Sequence, residues 1–196
     1  MRKTGHNTGH ASVLKGMQAA TSPPPYRFAA IRLLFLHLNQ EFSMSQHTAR
    51  LPYHQLSSKA FMGLVAVSET IKKGPLGLRL TELVFLRVSQ INGCAYCMDM
   101  HWHVLVKDGM APRHLNAVAG WREAPFFSDR ERAALRWAEV ITATPHSDAS
   151  DAEFAQLQAV FSDAEISDLG FAIAVINGWN LINAGMRAPI PETPAV

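Results

Sequence analysis

The chain has 196 residues, enough for one domain or for one domain with an extension. Hydrophobic residues make up 48% of it, so it can bury a core and does not read as a disordered chain. Its net charge of +2 is unevenly spread: residues 1–43 hold Arg2, Lys3, Lys15, Arg27 and Arg32 against Glu41 alone, which leaves the remainder slightly acidic, without a basic face for nucleic acid.

Residues 1–43 contain Pro23, Pro24 and Pro25, scattered glycines and no clear period. They read as a flexible extension or as a start codon called too early, with the patterned domain running over 44–196 from Met44. A basic, acid-poor targeting peptide is the weaker alternative, because no small-residue cleavage site follows the apolar stretch. That stretch, Phe28 to Leu38, is broken by Arg32 and His37 and falls short of the ~20 residues that cross a bilayer. No membrane segment is expected, and the expected location is cytoplasmic.

From residue 57 the pattern is helical. Phe61, Leu64, Val65 and Ile71 share a helical spacing that Gly74-Pro75 ends. Leu78 to Ile91 is apolar nearly all round, as in a buried helix, although Leu83-Val84-Phe85-Leu86 alone would also suit a buried strand. Asn92-Gly93 breaks the chain, and a helix is expected from Cys94 to about Asp108, ended by Gly109. Pro112 suits the first turn of a short helix through Val118. Three capping boxes follow, Ser128-x-x-Glu131, Ser150-x-x-Glu153 and Ser162-x-x-Glu165, each ahead of apolar residues at helical spacing. No alternating strand pattern with a hairpin turn occurs, so the expected fold is all-α with about six or seven helices. Ile91-Asn92-Gly93-Cys94 is weakly echoed by Ile176-Asn177-Gly178-Trp179, by chance or by an old duplication.

The two cysteines lie three positions apart. A secreted disulfide scaffold would use more, spread to close long loops, so the pair points to redox chemistry or metal binding in a reducing compartment. On a helix Cys94 and Cys97 stand one turn apart, and His101 follows Cys97 by four residues on the same face. The first turn of a helix favours an anion, which raises the thiolate fraction. Glu82 sits among Leu, Val and Phe, where an unpaired carboxylate is costly. It is read either as a proton relay beside the thiols or as a satisfied acid paired with Arg79 or Arg87.

The rival reading is zinc, held by Cys94, Cys97 and His101 with Glu82 or His103 as a fourth ligand; structural zinc usually brings a second ligand pair, and none is present. A c-type haem needs His directly after the second Cys, and Met98 stands there. His103 reads as a surface or interface residue, and His114 and His146 as solvated. Met98 and Met100 read as packing residues able to line an apolar pocket. Trp179 reads as core or subunit contact.

Glu82-x11-Cys94-x2-Cys97-x3-His101 resembles the core motif of the alkylhydroperoxidase D (AhpD)-like branch of the carboxymuconolactone decarboxylase family. Ile176-Asn177-Gly178-Trp179-Asn180 is similar to that family's last core helix, so the likeness covers roughly residues 50–190. It implies an all-helical domain, usually assembled as trimers or hexamers; no cofactor and no metal are expected. It implies reduction of hydroperoxides by the dithiol, which a dihydrolipoyl group or a thioredoxin-like protein recharges. Cys97 would then be the peroxidatic thiol, Cys94 the resolving thiol, and Glu82 with His101 the proton relay. At Tyr96 the chain departs from the motif, where the best-characterised members carry a second relay histidine; phenols ionise near ~10, so tyrosine is a poor shuttle at neutral pH. Other readings are a redox sensor or assembly switch without turnover, and a lactone decarboxylase, although the decarboxylases of this family lack the Cys-x-x-Cys pair.

Overall fold

The computed structural model describes residues 48–144 and 146–194, so the readings of residues 1–43 lie outside the described residues. Among the described residues there are eight α-helices and no strand. They are α1 (Tyr53–Leu56), α2 (Ser58–Lys72), α3 (Gly77–Asn92), α4 (Ala95–Lys107), α5 (Pro112–Asn116), α6 (Asp129–Thr142), α7 (Asp151–Gln158) and α8 (Asp163–Met186). A short 3-10 turn, Val118–Gly120, follows α5. The single-turn α1, just ahead of the first helical period, is the element that the apolar spacing leaves out.

Helix α3 is the axis of the fold. Leu80 through Leu86 are all buried, together with Val88 and Ser89, and it packs against α2, α4, α6 and α8. Its all-round apolarity therefore means a helix wrapped by others, and the strand alternative for Leu83–Leu86 is excluded. Leu80, Val84, Phe85 and Val88 join Ala134, Ala138, Leu169, Ile173 and Ile176 in the larger core. Leu83 and Leu86 turn the other way, into a second cluster with Leu105, Met110, Leu115 and Leu135.

The C-terminal helices start where the serines direct. Ser128 and Glu131 form a complete capping box on α6, and Ser162 and Glu165 do the same on α8. Ser150 accepts the Glu153 N–H at the start of α7, but the Glu153 carboxylate turns to Arg136 instead of closing the box. Helix α8 has 24 residues and is long and apolar enough to cross a membrane by length and composition. Its buried residues Ile166, Leu169, Ile173 and Ile176 nevertheless build the core against α3.

A polar stripe joins the ends of α3 and α8. Asn92 Nδ2 donates to Asn177 Oδ1 at 2.8 Å and to Asn180 Oδ1 at 2.9 Å. Asn180 Nδ2 donates to Ser89 Oγ at 3.0 Å. The echoed asparagines of the two Ile-Asn-Gly segments thus meet in space. Gly93 then ends α3 in the left-handed region, φ 67°, and the next residue begins the approach to α4. A β-carbon at Gly93 would meet nothing within 4 Å, so its replacement is opposed by backbone strain alone. Gly93→Ala is expected to lower unfolding stability by about 1 kcal/mol in urea titrations; a variant as stable as the parent would show that the turn relaxes freely.

Candidate active site

Cys94 is the N-cap of α4, with extended backbone, and its sulfur accepts the Cys97 N–H at 3.4 Å. This places Cys97 one turn into the helix. The two Cα atoms are 5.3 Å apart and the sulfurs are at bonding distance, forming a disulfide. Cys94 thus stands just ahead of the first turn, while Cys97 lies inside it. Both residues are buried, at 3% and 1% exposure.

His101 follows one turn later and is also buried. Its Nδ1 lies 2.7 Å from Glu82 Oε2. A carboxylate only accepts, so the imidazole donates through Nδ1–H, and Nε2 is left as the free ring nitrogen. That Nε2 is enclosed and has no hydrogen-bond partner. The ring packs on Phe85, with centroids 5.1 Å apart.

Glu82 has no surface in water, and neither Arg79 nor Arg87 balances its charge. Arg87 pairs with Glu139 at 2.7 Å. The cation for Glu82 comes from α2: Lys72 Nζ stands 2.9 Å from Glu82 Oε1 and 3.4 Å from Glu69 Oε1. The Lys72–Glu82 contact is an ion pair without the alignment of a directed hydrogen bond. Burial pushes the Glu82 carboxyl upward, but the hydrogen bond and charge of His101, and then Lys72, outweigh it and hold the group below the usual carboxylate range. Burial likewise lowers the Lys72 ammonium, and the charges of Glu82 and Glu69 more than reverse this.

Above these groups lies a cavity of about 400 Å³. Cys97, His101, Tyr96 and Lys72 line it, and Cys94 does not. Phe61, Phe85, Met100 and Trp179 supply much of its apolar wall. The structure thus brings together four of the five expected site residues at the cavity or just beneath it, with Cys94 attached through the disulfide. Tyr96 reaches the cavity rim half-buried.

The remaining residues singled out in the sequence fall on both sides of expectation. Met100 faces the cavity, but Met98 packs into the second core cluster. Trp179 packs on the core and also lines the cavity, with its Nε1–H on Ser68 Oγ at 3.1 Å and its ring edge-on to Phe61 at 5.2 Å. His114 is not solvated. It is half-buried against Phe126 and Phe127, and burial, together with Arg79, holds its pKa below the usual value in spite of Glu131. His146 is exposed, and His103 is half-buried with Nδ1 on the Asp99 carbonyl at 2.8 Å. Among the described residues, no three His, Cys, Asp or Glu side chains converge as a metal ion would require.

Three further residues reach the site without a sequence motif: Lys72, Tyr53 and Asn183. Asn183 Nδ2 approaches Cys97 Sγ at 3.3 Å, and Tyr53 Oη donates to Asn183 Oδ1 at 2.7 Å. The asparagines at 177, 180 and 183 recur at helical spacing in an otherwise apolar helix, which is a legible signal for a polar seam. Lys72, beside Lys73 at a helix end, looks like any solvated lysine.

Glu82, held by His101 and then by Lys72, has a definite pH signature. Because the folded carboxyl titrates lower than in the unfolded chain, its contacts with His101 and Lys72 contribute stability above the unfolded value of about 4.3, and lose it as the pH falls through the depressed native value. Lys72→Met is expected to cost about 2–3 kcal/mol at pH 7, since one partner of a mostly buried pair is removed. The deficit should shrink in strong acid, and Lys72→Met combined with Glu82→Gln should recover part of it. Urea titrations at both pH values check this; a pH-independent deficit would show that Lys72 acts by packing alone.

The carboxymuconolactone decarboxylase family model matches residues 59–140. An uncharacterized protein of Bacillus subtilis, YdfG, is 30% identical over 137 residues, covering 70% of this chain and 93% of its own length. A crystal structure of a protein of unknown function from Agrobacterium tumefaciens, for which an AhpD-type role in antioxidant defence has been suggested, is 37% identical. The match covers 74% of this chain and all of that one, with a TM-score of 0.71. The debrominase Bmp8, in complex with 2,3,4-tribromopyrrole, shares the fold with a TM-score of 0.61 at 19% identity, over 91% of this chain and 95% of that one. The chain belongs to the carboxymuconolactone decarboxylase family, as an AhpD-like member.

Proposed function

We propose that the protein is a thiol-dependent peroxidase that reduces hydrogen peroxide or organic hydroperoxides through Cys94 and Cys97. The observation that carries this reading is the unequal placement of the two sulfurs. Cys97 opens on the cavity beside His101, whereas Cys94 caps the helix away from it.

In the reduced protein the Cys97 thiolate attacks the distal oxygen of the hydroperoxide. The O–O bond breaks, Cys97 becomes a sulfenic acid, and the alkoxide leaves with a proton delivered through His101, whose other nitrogen is held by Glu82. The Cys94 thiolate then attacks the Cys97 sulfur and expels hydroxide, which is protonated to water as the disulfide forms. One hydroperoxide and two thiols thus yield an alcohol, water and a disulfide. An external dithiol, of dihydrolipoyl or thioredoxin-like type, returns the pair to thiols by exchange. The apolar wall of Phe61, Phe85, Met100 and Trp179 favours organic hydroperoxides.

This reading includes a reducing, cytoplasmic compartment, where such a dithiol is kept charged. It also includes a homotrimer or homohexamer. Phe171 and Leu181 on α8 are 61% and 74% exposed, a surface suited to burial between subunits.

The test is steady-state consumption of hydrogen peroxide and tert-butyl hydroperoxide with dihydrolipoamide as reductant. The parent protein is expected to turn over. Cys97→Ser should fall to background, and Cys94→Ser should consume about one equivalent and stop. Equal residual rates in the two variants would refute the assigned thiol roles. A parent that oxidises reversibly but does not turn over would be a sensor instead.

A further inference from the structure

We infer that Asn183, held in place by Tyr53, is a dedicated hydrogen-bond donor to the Cys97 thiolate and sets its reactivity toward any electrophile. The inference concerns the sulfur itself and holds whatever oxidant the protein consumes.

The geometry fixes the direction of the bond. The Asn183 side chain is 5% exposed and has one polar neighbour at each end. Its Oδ1 receives the Tyr53 hydroxyl at 2.7 Å. The Tyr53 phenol keeps its proton firmly, because burial and then the neighbouring Tyr96 raise its pKa. With the amide oxygen engaged, the NH₂ end has to face the other way, where Cys97 Sγ lies at 3.3 Å. An amide NH₂ can only donate. It therefore stabilises a sulfur anion more than a protonated thiol, and shifts the titration toward thiolate. When the disulfide opens, the donor is already in position.

The other groups facing Cys97 show why a neutral donor matters. From α3 comes Glu82, from α2 Lys72 and Glu69, from α4 His101 and Tyr96, and from α1 Tyr53 and His54. The Lys72 charge is already shared by Glu82 and Glu69, so this ammonium is not free to attract a thiolate. Helix α8 contributes no charge here, only the Asn183 amide and the Trp179 ring. Beyond Cys97's own helix terminus, the amide is the side-chain donor aimed at this sulfur among the described residues. Asn183 and Tyr53 are 86 and 130 residues from their partners in this chain of contacts, so α1, α4 and α8 must dock together for it to form.

The experiment uses Cys94→Ser protein, in which Cys97 is the sole thiol, and measures the rate of iodoacetamide alkylation against pH. Adding Asn183→Ala should move the midpoint upward by about one unit, so that the rate at pH 7 falls roughly tenfold while the high-pH plateau changes little. Asn183→Asp should shift it further, since a carboxylate cannot donate and adds negative charge. Tyr53→Phe should shift it in the same direction by a smaller factor, about threefold in rate, because the amide is then free to turn. A purely structural role would lower the melting temperature and leave the midpoint unmoved. If Asn183→Ala does not fold, Tyr53→Phe decides, since its ring can keep the packing on Phe61 at 6.2 Å. Unmoved midpoints in the folded variants would overturn the inference.

Discussion

Glu82 is a carboxylate with no surface in water, placed in the middle of the most buried helix of the fold. Leaving such a group unpaired would cost several kcal/mol, so its surroundings are constrained before any chemistry is considered. One oxygen faces the His101 ring from α4, and the other faces the Lys72 ammonium from α2. A single carboxylate therefore joins three helices, and fixes how far α2 and α4 can slide along α3. The position of Cys97 follows from this, because His101 lies one turn further along the same helix. A shift of α4 that misplaced the thiol would also strip Glu82 of its donor.

The same interaction prepares the histidine. By accepting from Nδ1, Glu82 leaves Nε2 as the free nitrogen, and this atom is buried without a partner. Buried polar atoms are nearly always satisfied in native proteins, so an orphan at a cavity is a place where a ligand atom or water belongs. Thr81 Oγ1 is orphaned as well, but it does not line the cavity, and no role for it follows from its surroundings. Besides the charged arm formed by Lys72, Glu82 and His101 there is a neutral arm of Tyr53 and Asn183. In the proposed cycle the charged arm moves a proton, and the neutral arm holds the sulfur anion. The division suits an apolar cavity, where a net charge beside the substrate would be expensive.

Much of this arrangement is legible in the sequence, and what is not has a physical reason. Cys94, Cys97 and His101 are local, since one helical turn separates each from the next. Glu82 stands out because a lone acid among Leu, Val and Phe has to be explained. Serines 128 and 162 announce helix starts through bonds that span three residues. Lys72 and Tyr53 carry no such local cue, and the spacing of Asn183 with Asn177 and Asn180 marks a polar seam without saying what it meets, because each finds its partner only after distant helices dock. Periodicity assigns Glu82 to the core but cannot say which cation meets it, so the nearby arginines at 79 and 87 are natural but wrong candidates. Arg87 is taken up by Glu139, which also binds Arg122 and the Trp121 ring nitrogen, a network equally invisible to local spacing. His114 fails for the same reason: the residues that enclose it, Phe126 and Phe127, arrive from a later turn of chain.

A shared scaffold does not choose among electrophiles. The fold of this chain is also that of a debrominase seen with a brominated pyrrole, and fold likeness at that identity carries no activity with it. In the proposed cycle the dithiol supplies two electrons as its sulfurs join, and that balance is the same for any electrophile a thiolate can attack. Selection must then rest on what the cavity admits and on how its floor treats the leaving group. Phe61, Phe85, Met100 and Trp179 admit apolar bulk, while His101, which lines the same cavity as Cys97, keeps its enclosed Nε2 as the ring nitrogen not engaged by Glu82. A leaving alkoxide needs that proton at once, whereas a leaving group that is stable as an anion does not. Under the proposed peroxidase function, the pairing of an oriented imidazole with an apolar chamber is the feature that would favour a hydroperoxide over other electrophiles.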